Sequence, residues 1–317
     1  MGFLPSFILV TVCVIFGVAT ACSNGSCRLL EECSNDGDCE SGLYCFSCPE
    51  GFSGTRCVRS ITTNQFKLVN GVRGLMLDTY DFQGDVWLCH SFGGKCHIYT
   101  AFRPAIETLK EVEAFLSANP TEIVTIILED YVQAPNGLTK VFTDAGLMKY
   151  WFPVTNMPKS GQDWPLVSDM VAKNQRLIVF TSIKSKEETE GIAYQWNYMV
   201  ENHYGNKGME AGSCSNREES SPLDDTSKSL VLVNHFNTAP IKLLICENNS
   251  ADLINMLITC YGSAGNRWAN FVAVDFYKRS EGGGAFQAVD TLNGKLLCGC
   301  DDIHACTPES TFGACGS

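Results

Sequence analysis

The stretch from Val72 to His90, VRGLMLDTYDFQGDVWLCH, constrains the fold more than any other part of this chain. Val72 to Asp78 is an apolar run closed by a carboxylate. Gln83-Gly84-Asp85 is a turn signal. Val86 to Cys89 is apolar again, and His90 follows. The pattern predicts two buried strands around a short acidic turn, one stopping on Asp78 and the other on His90. Parallel α/β folds collect their chemistry at such strand ends.

Downstream, strand and helix patterns alternate. Ile106, Leu109, Val112, Phe115 and Leu116 have a helical period between Pro104 and Asn119, and Pro120 stops it. Ile123 to Leu128 (IVTIIL) predicts a strand running into Glu129-Asp130. Helices are expected over Leu138 to Ala145, Trp164 to Lys173, Ala251 to Tyr261 and Ala285 to Leu297. Strands are expected over Arg176 to Thr181, ending near Lys184, over Ser229 to Asn234, ending on His235, and over Phe271 to Asp275. This alternation argues for parallel β/α architecture. Apolar strands ending on Asp78, His90, Glu129, Asn234 and Asp275 resemble the rim of a (β/α)8 TIM barrel.

The cysteines set the second constraint. There are seventeen, and Cys13 lies in an N-terminal apolar run, which leaves sixteen. Phe7 to Val18 with Ala19-Thr20-Ala21 reads as a cleaved signal peptide, so a secreted, oxidising context and disulfides are expected. The sequence divides into a leader (1–21), a cysteine-rich segment (22–58), the strand–helix region (59–297) and a cysteine-rich tail (298–317). The segment from Cys22 to Cys57 holds seven cysteines and few large apolar residues, so disulfides must hold it. Its ending CPEGFSGTRC resembles the last loop of an EGF-like module, and its odd count predicts one cysteine paired outside it. Cys89 and Cys96 are close enough to staple a loop beside His90. The tail's four cysteines are expected to clamp the end of the barrel. A zinc site of Cys300, Cys306 and His304 is the weaker alternative to disulfides there. Asn24-Gly25-Ser26 and Asn248-Asn249-Ser250 are glycosylation sequons, and the C-terminus lacks the hydrophobic tail of a GPI signal. The net charge of −12 argues against a nucleic-acid partner and against electrostatic adsorption to anionic membranes.

GVRGLMLDTYDFQGDVWLCHSFGGKC, EIVTIILEDY and NFVAVDFYKR together resemble the X domain of phosphatidylinositol-specific phospholipase C. The match is closest to a secreted plant branch with a cysteine-rich N-terminus. The resemblance implies cleavage of a phosphodiester by attack of the inositol 2-hydroxyl, with one histidine as base and another as acid. His90 matches the second histidine, and Asp275 matches the aspartate that orients the base. Asp78 and Glu129 match Ca2+-binding positions of the animal enzymes. Met76 stands where those enzymes carry another acidic ligand. Tyr80 stands where bacterial members carry an arginine. Lys184 and Trp196 are candidates to line the headgroup and lipid rim. The implied partners are a phosphoinositide-type lipid or headgroup and, transiently, a membrane surface. Ca2+ is the cofactor candidate.

One element of that family is missing. Members place the first catalytic histidine on the first barrel strand, followed by a helix, but here FKLVN (66–70) runs straight into Gly71 and no histidine precedes His90. The chain reads as a shortened form, TIM-barrel-like without the first strand and helix, a unit of roughly 30 residues or more. His97 and His235 are substitute bases at best; a loop and a core position are the readier readings. Asp78 has a structural alternative as a partner of Arg73. A catalytically inactive headgroup-binding protein is the rival function. A glycerophosphodiesterase-like enzyme is a third, lacking here its early His-Arg motif.

Overall fold

The computed structural model describes residues 22–27, 31–41, 43–47, 55–59, 68, 71–91, 93–239, 248–249, 251–278, 280, 284–307 and 311–316. The expected leader falls outside them. No helix among them is long and apolar enough to cross a membrane.

The N-terminal segment is held by cystines rather than by a core of its own. Strands β1 (Leu43–Ser47) and β2 (Thr55–Arg59) form an antiparallel pair. Disulfides Cys22–Cys27, Cys33–Cys45 and Cys39–Cys57 tie it together, and the buried cluster there is made of cysteines. Six of its seven cysteines therefore pair within the segment, and Cys48 lies outside the described residues.

The remainder is mixed α/β with parallel sheets. One sheet has the order β5-β4-β3-β6-β7-β8, from β3 (Gly74–Phe82), β4 (Asp85–Cys89), β5 (Ala101–Pro104), β6 (Val124–Tyr131), β7 (Leu177–Thr181) and β8 (Ala193–Tyr194). In it β3, β6, β7 and β8 run parallel. The other sheet is β11-β10-β9, all parallel, from β9 (Met199–Glu201), β10 (Leu230–His235) and β11 (Phe271–Val274). The helices are α1 (Ala105–Ala118), α2 (Gly137–Asp144), α3 (Val167–Ala172), α4 (Ser185–Thr189), α5 (Gly205–Gly208), α6 (Ala251–Ser263) and α7 (Gly284–Leu297). The expected parallel alternation is present, while the hydrogen bonding divides the strands into two sheets.

Alternation of side chains along the strands makes three cores. Leu75, Ile126, Leu128 and Val179 face α1 and α2, meeting Leu109, Val112 and Leu116. Ile127, Ile178, Phe180, Met199, Leu230 and Leu232 face one another across the two sheets, with Met76, Phe271 and Ala273 against them. Val231 and Val233 pack on Leu253, Met256 and Leu257 of α6 and on Ala288 and Leu292 of α7. Leu68, in the FKLVN run, is fully buried in the first core.

Several expectations are corrected. The strand before His90 runs antiparallel to β3, because Gln83 (φ 52) and Gly84 (φ 79) form a two-residue turn with both φ positive. Turns of that handedness match the strand twist and close tight hairpins. His90 therefore follows a returning strand, not a parallel one. Asp78 lies inside β3, which continues four residues to Phe82. Arg73 pairs with Glu122, not with Asp78. The helix expected from Trp164 begins at Val167, after Pro165. Cys89–Cys96 closes beside His90 as expected. In the tail, Cys298–Cys306 and Cys300–Cys315 close on themselves, so those cysteines ligate no zinc and the clamp is local. The tail's own backbone caps α7, with Cys298, Gly299 and Cys300 donating to the Gly294 carbonyl.

Arg176 is the buried tie between α1 and the sheet. Its guanidinium donates to the carbonyls of Leu116, Asn119 and Glu122 and lies over the Tyr150 ring. Arg176→Ala leaves those carbonyls without their donor, and we expect a loss of about 3 kcal/mol. Breaking the half-exposed Arg103–Glu111 pair with Arg103→Ala is expected to cost under about 1 kcal/mol. Urea unfolding of both variants checks this; equal costs would deny Arg176 the role.

Candidate active site

Period-two alternation builds the site in two layers. Met76, Ile127, Met199, Leu232 and Ala273 form the apolar layer between the sheets. Two residues further along each strand stand Asp78, Glu129, Glu201, Asn234 and Asp275. The polar layer thus holds four carboxylates and one amide.

The first half of this layer is open. Asp78 and Glu129 are direct register partners on β3 and β6. Burial, then Glu129, then Asp275, push the Asp78 carboxyl up to about 7. The hairpin returns His90 to this point, with Nδ1 3.8 Å from Asp78 Oδ2. The His90 side chain is 65% exposed and that of Asp78 34%. The Tyr131 hydroxyl donates to Glu129 at 2.7 Å, and its ring stacks on Tyr80 at 4.4 Å. Burial raises the pKa of both tyrosines, so both remain neutral donors. The Asp275 carbonyl accepts from the buried Asn249 side chain at 2.8 Å. Phe276, the next residue, holds φ 44.

The second half is closed. Fully buried Glu201 accepts from Gln195 Nε2, Trp196 Nε1, Asn234 Nδ2 and Arg217. Arg217 lies between the Trp196 and Tyr204 rings and also pairs with Glu219. Burial works against its charge, but Glu201 and Glu219 more than offset that, and its pKa is raised; Glu129 adds to the rise. The two halves are therefore in electrostatic contact. Asn234 donates to Glu201 and to the Asn202 carbonyl, so its Oδ1 faces away and has no hydrogen-bond partner.

The structure brings His90, Asp78, Glu129 and Asp275 together. It sets Trp196 inside, its indole N–H committed to Glu201. Lys184 is exposed ahead of α4. His97 stacks on Tyr99 in the loop before β5. His235 is buried, bonds the Asn248 carbonyl, and has a pKa lowered mainly by burial. His304 bonds Asp302. The carboxylates suit a hard cation by chemistry. Yet the groups of three ligand atoms within 4.8 Å of one another among the described residues are Cys33, Cys39 and Cys57, and Cys22, Cys27 and Glu31, and every cysteine in them is in a disulfide. Among the described residues no third ligand atom joins Asp78 and Glu129 within that distance, so these two alone would hold a cation.

Glu201 and Arg217 escaped the sequence reading. Glu201 closes an apolar run, YMVE, and the rule that singled out Asp275 applies to it equally. Arg217 lies in SNREESS, whose mixed charges read as solvated loop.

The PI-PLC X domain family model matches residues 50–293. The chain belongs to this family. A PI-PLC X domain-containing protein of Arabidopsis thaliana is 49% identical over 353 residues, covering 97% of this chain and 83% of that protein. Since 97% of 317 residues is about 307, about 46 aligned positions of that relative have no counterpart here. An uncharacterized secreted protein of Arthroderma benhamiae is 24% identical over 268 residues, covering 78% of this chain and 59% of that protein. No solved structure matches the chain.

The raised Asp78 has a direct consequence. Its folded pKa, about 7, exceeds the ordinary 3.8, so the fold disfavours its charge. The associated stability is complete below the unfolded pKa and is lost as pH rises through about 7. Asp78→Asn should match the parent near pH 4 and exceed it by about 1–2 kcal/mol near pH 8, the figure reduced for solvent screening. A difference in denaturation midpoint that does not change with pH would contradict this.

Proposed function

We propose that the chain recognises the headgroup of a phosphatidylinositol-type phosphodiester and retains the acid half of its cleavage. The observation that carries this reading is the return of His90 to the carboxylate layer of Asp78, Glu129 and Asp275. An exposed imidazole at a strand rim can give a proton to a leaving alkoxide. Carboxylates on the facing strands accept hydrogen bonds from the several hydroxyls of a polyol ring. Membership of the X-domain family gives the substrate class its weight.

The base half of the reaction is the weak one. The sequence holds no histidine before His90. About 46 aligned residues of the Arabidopsis relative are missing here, enough for the strand and helix that carry the first histidine on a TIM-barrel scaffold. Loss of a general base commonly lowers turnover by about 10²–10⁴. The same deficit favours a second reading, a binding protein without turnover. Secretion belongs to both readings, supported by the leader-like N-terminus, the cystines and the relative named as secreted.

The test uses the full chain with inositol 1-phosphate in a calorimeter and with phosphatidylinositol vesicles in a cleavage assay. We expect headgroup binding, slow cleavage, and a further loss of about 10²-fold in His90→Ala with binding kept. Binding without any cleavage selects the second reading. Unchanged cleavage by a folded His90→Ala chain removes His90 from the chemistry. Neither binding nor cleavage overturns the assignment.

A further inference from the structure

The closed half of the polar layer ends on an atom that no described residue satisfies. Asn234 is fully buried, and its Oδ1 has no hydrogen-bond partner. A buried carbonyl oxygen without a donor costs about as much as a lost hydrogen bond, so native folds seldom keep one without a use. The orientation of the amide is fixed by its surroundings. Nδ2 donates to Glu201 Oε1 at 2.8 Å and to the Asn202 carbonyl at 3.1 Å. Turning the amide over would set Oδ1 against a carboxylate and a carbonyl, acceptors both. Glu201 also accepts from Gln195, Trp196 and Arg217, so it is a charged acceptor with no proton to offer a flipped amide.

The direction of Oδ1 follows. Asn234 stands two residues beyond Leu232, which lies in the core between the sheets, so its side chain faces the same interior. Both partners of Nδ2 lie on the β9 side, Glu201 at the end of that strand and Asn202 next to it. Oδ1 therefore looks away from β9. On the other flank its register partner in β11 is Ala273, which has no polar side-chain atom, and Asp275 follows two residues on. What Oδ1 lacks is a donor, and the layer it faces is rich in acceptors. Among the described residues, Asp78 and Glu129 have no ion pair with a lysine or arginine, and Arg217 is held by Glu201 and Glu219. A neutral hydroxyl supplies the missing donor. A phosphate group brings negative charge and acceptor oxygens, and beside unpaired carboxylates it is repelled. We propose that Asn234 is a specificity-determining residue of the headgroup site: Oδ1 accepts a hydrogen bond from one ring hydroxyl, so the site takes an inositol ring whose hydroxyls are free and turns away a ring that carries further phosphates. The role rests on the functional reading above for the ring itself.

Calorimetry of the full chain tests it with inositol 1-phosphate, with the analogues in which one ring hydroxyl at a time is replaced by hydrogen, and with inositol 1,4,5-trisphosphate. Asn234→Thr and Asn234→Ser are compared with the parent, since each keeps a hydroxyl to donate to Glu201 and removes the amide oxygen. In the parent, one deoxy analogue should bind at least about tenfold more weakly than inositol 1-phosphate, and so should the trisphosphate. In a folded variant inositol 1-phosphate should weaken by about the same factor. That deoxy analogue should then bind no worse than inositol 1-phosphate, because both changes remove one contact. A variant that weakens every ligand alike and keeps the deoxy penalty assigns Asn234 to structure alone and overturns the proposal. A parent that tolerates every deoxy analogue, or binds the trisphosphate as tightly as inositol 1-phosphate, overturns it as well, and these two arms need no folded variant. A parent that binds inositol 1-phosphate and fails these comparisons defeats the specificity role alone; a parent that binds none of the ligands defeats the functional reading with it.

Discussion

Asp78 and Glu129 are held opposite each other by the longest ladder among the described residues. Seven register pairs run from Gly74–Thr125 to Tyr80–Tyr131. Neither strand can slip by one residue without turning its apolar residues to the wrong face. The two carboxylates must therefore face each other, and their repulsion is stored in the fold rather than relaxed. Burial is the first cause of the raised Asp78 pKa, and repulsion by Glu129 is the second. Like charges held together at an open strand rim are a common basis for functional perturbation.

The same fold neutralises other buried charges completely. Glu201 meets Arg217 and three neutral donors. Asp130, on the opposite face of β6 from Glu129, meets Lys186, Thr181 and the Val132 amide. Removing one partner of such a set strands a charge, which costs several kcal/mol. Those networks have reason to be kept for structure alone. Among the described residues, Asp78 and Glu129 have no ion pair with a lysine or arginine, and Arg217 is already shared between Glu201 and Glu219. The contrast separates a site from a scaffold on physical grounds.

Much of this was legible in the sequence because alternation is a local signal. The apolar runs ending in Glu129, His235 and Asp275 are strands β6, β10 and β11, and the helix from Pro104 appears one residue later as α1. The Gln83-Gly84 turn was legible as well, but its handedness was not. Only the two positive φ values reveal that β4 turns back, which is why His90 meets Asp78 sideways instead of ending a parallel strand. The segment from Ala193 to Glu201 was not legible. Its strands are two and three residues long, too short to show a period, and a 3-10 turn separates them. Glu201 does close an apolar run, as Asp275 does, but a run too short to mark a strand by itself, and the partner of Arg217 lies sixteen residues away with no pattern linking them.

The hairpin also bears on how a shortened X domain can remain folded. β4 pairs with β3 only from Thr79 upward, so Gly74 to Asp78 have β6 as their one ladder partner among the described residues. β11 likewise pairs only with β10. Two sheet margins therefore face the interior, where Phe271 of β11 lies against Gly74 of β3, 3.5 Å from where a Cβ would stand. Side-chain packing across this seam replaces a ladder, and Met76, Phe271 and Ala273 share one apolar cluster there. Packing of this kind has no direction and tolerates displacement, whereas a ladder fixes both strands in register. The lower layer can thus close by side-chain packing, with no strand between β3 and β11 among the described residues. The polar layer above has no such remedy, since a base must be placed within hydrogen-bond reach to act. On the function proposed above, loss of one strand and helix would weigh more on catalysis than on folding, and recognition through Asp78, Glu129 and Asp275 would keep most of its parts.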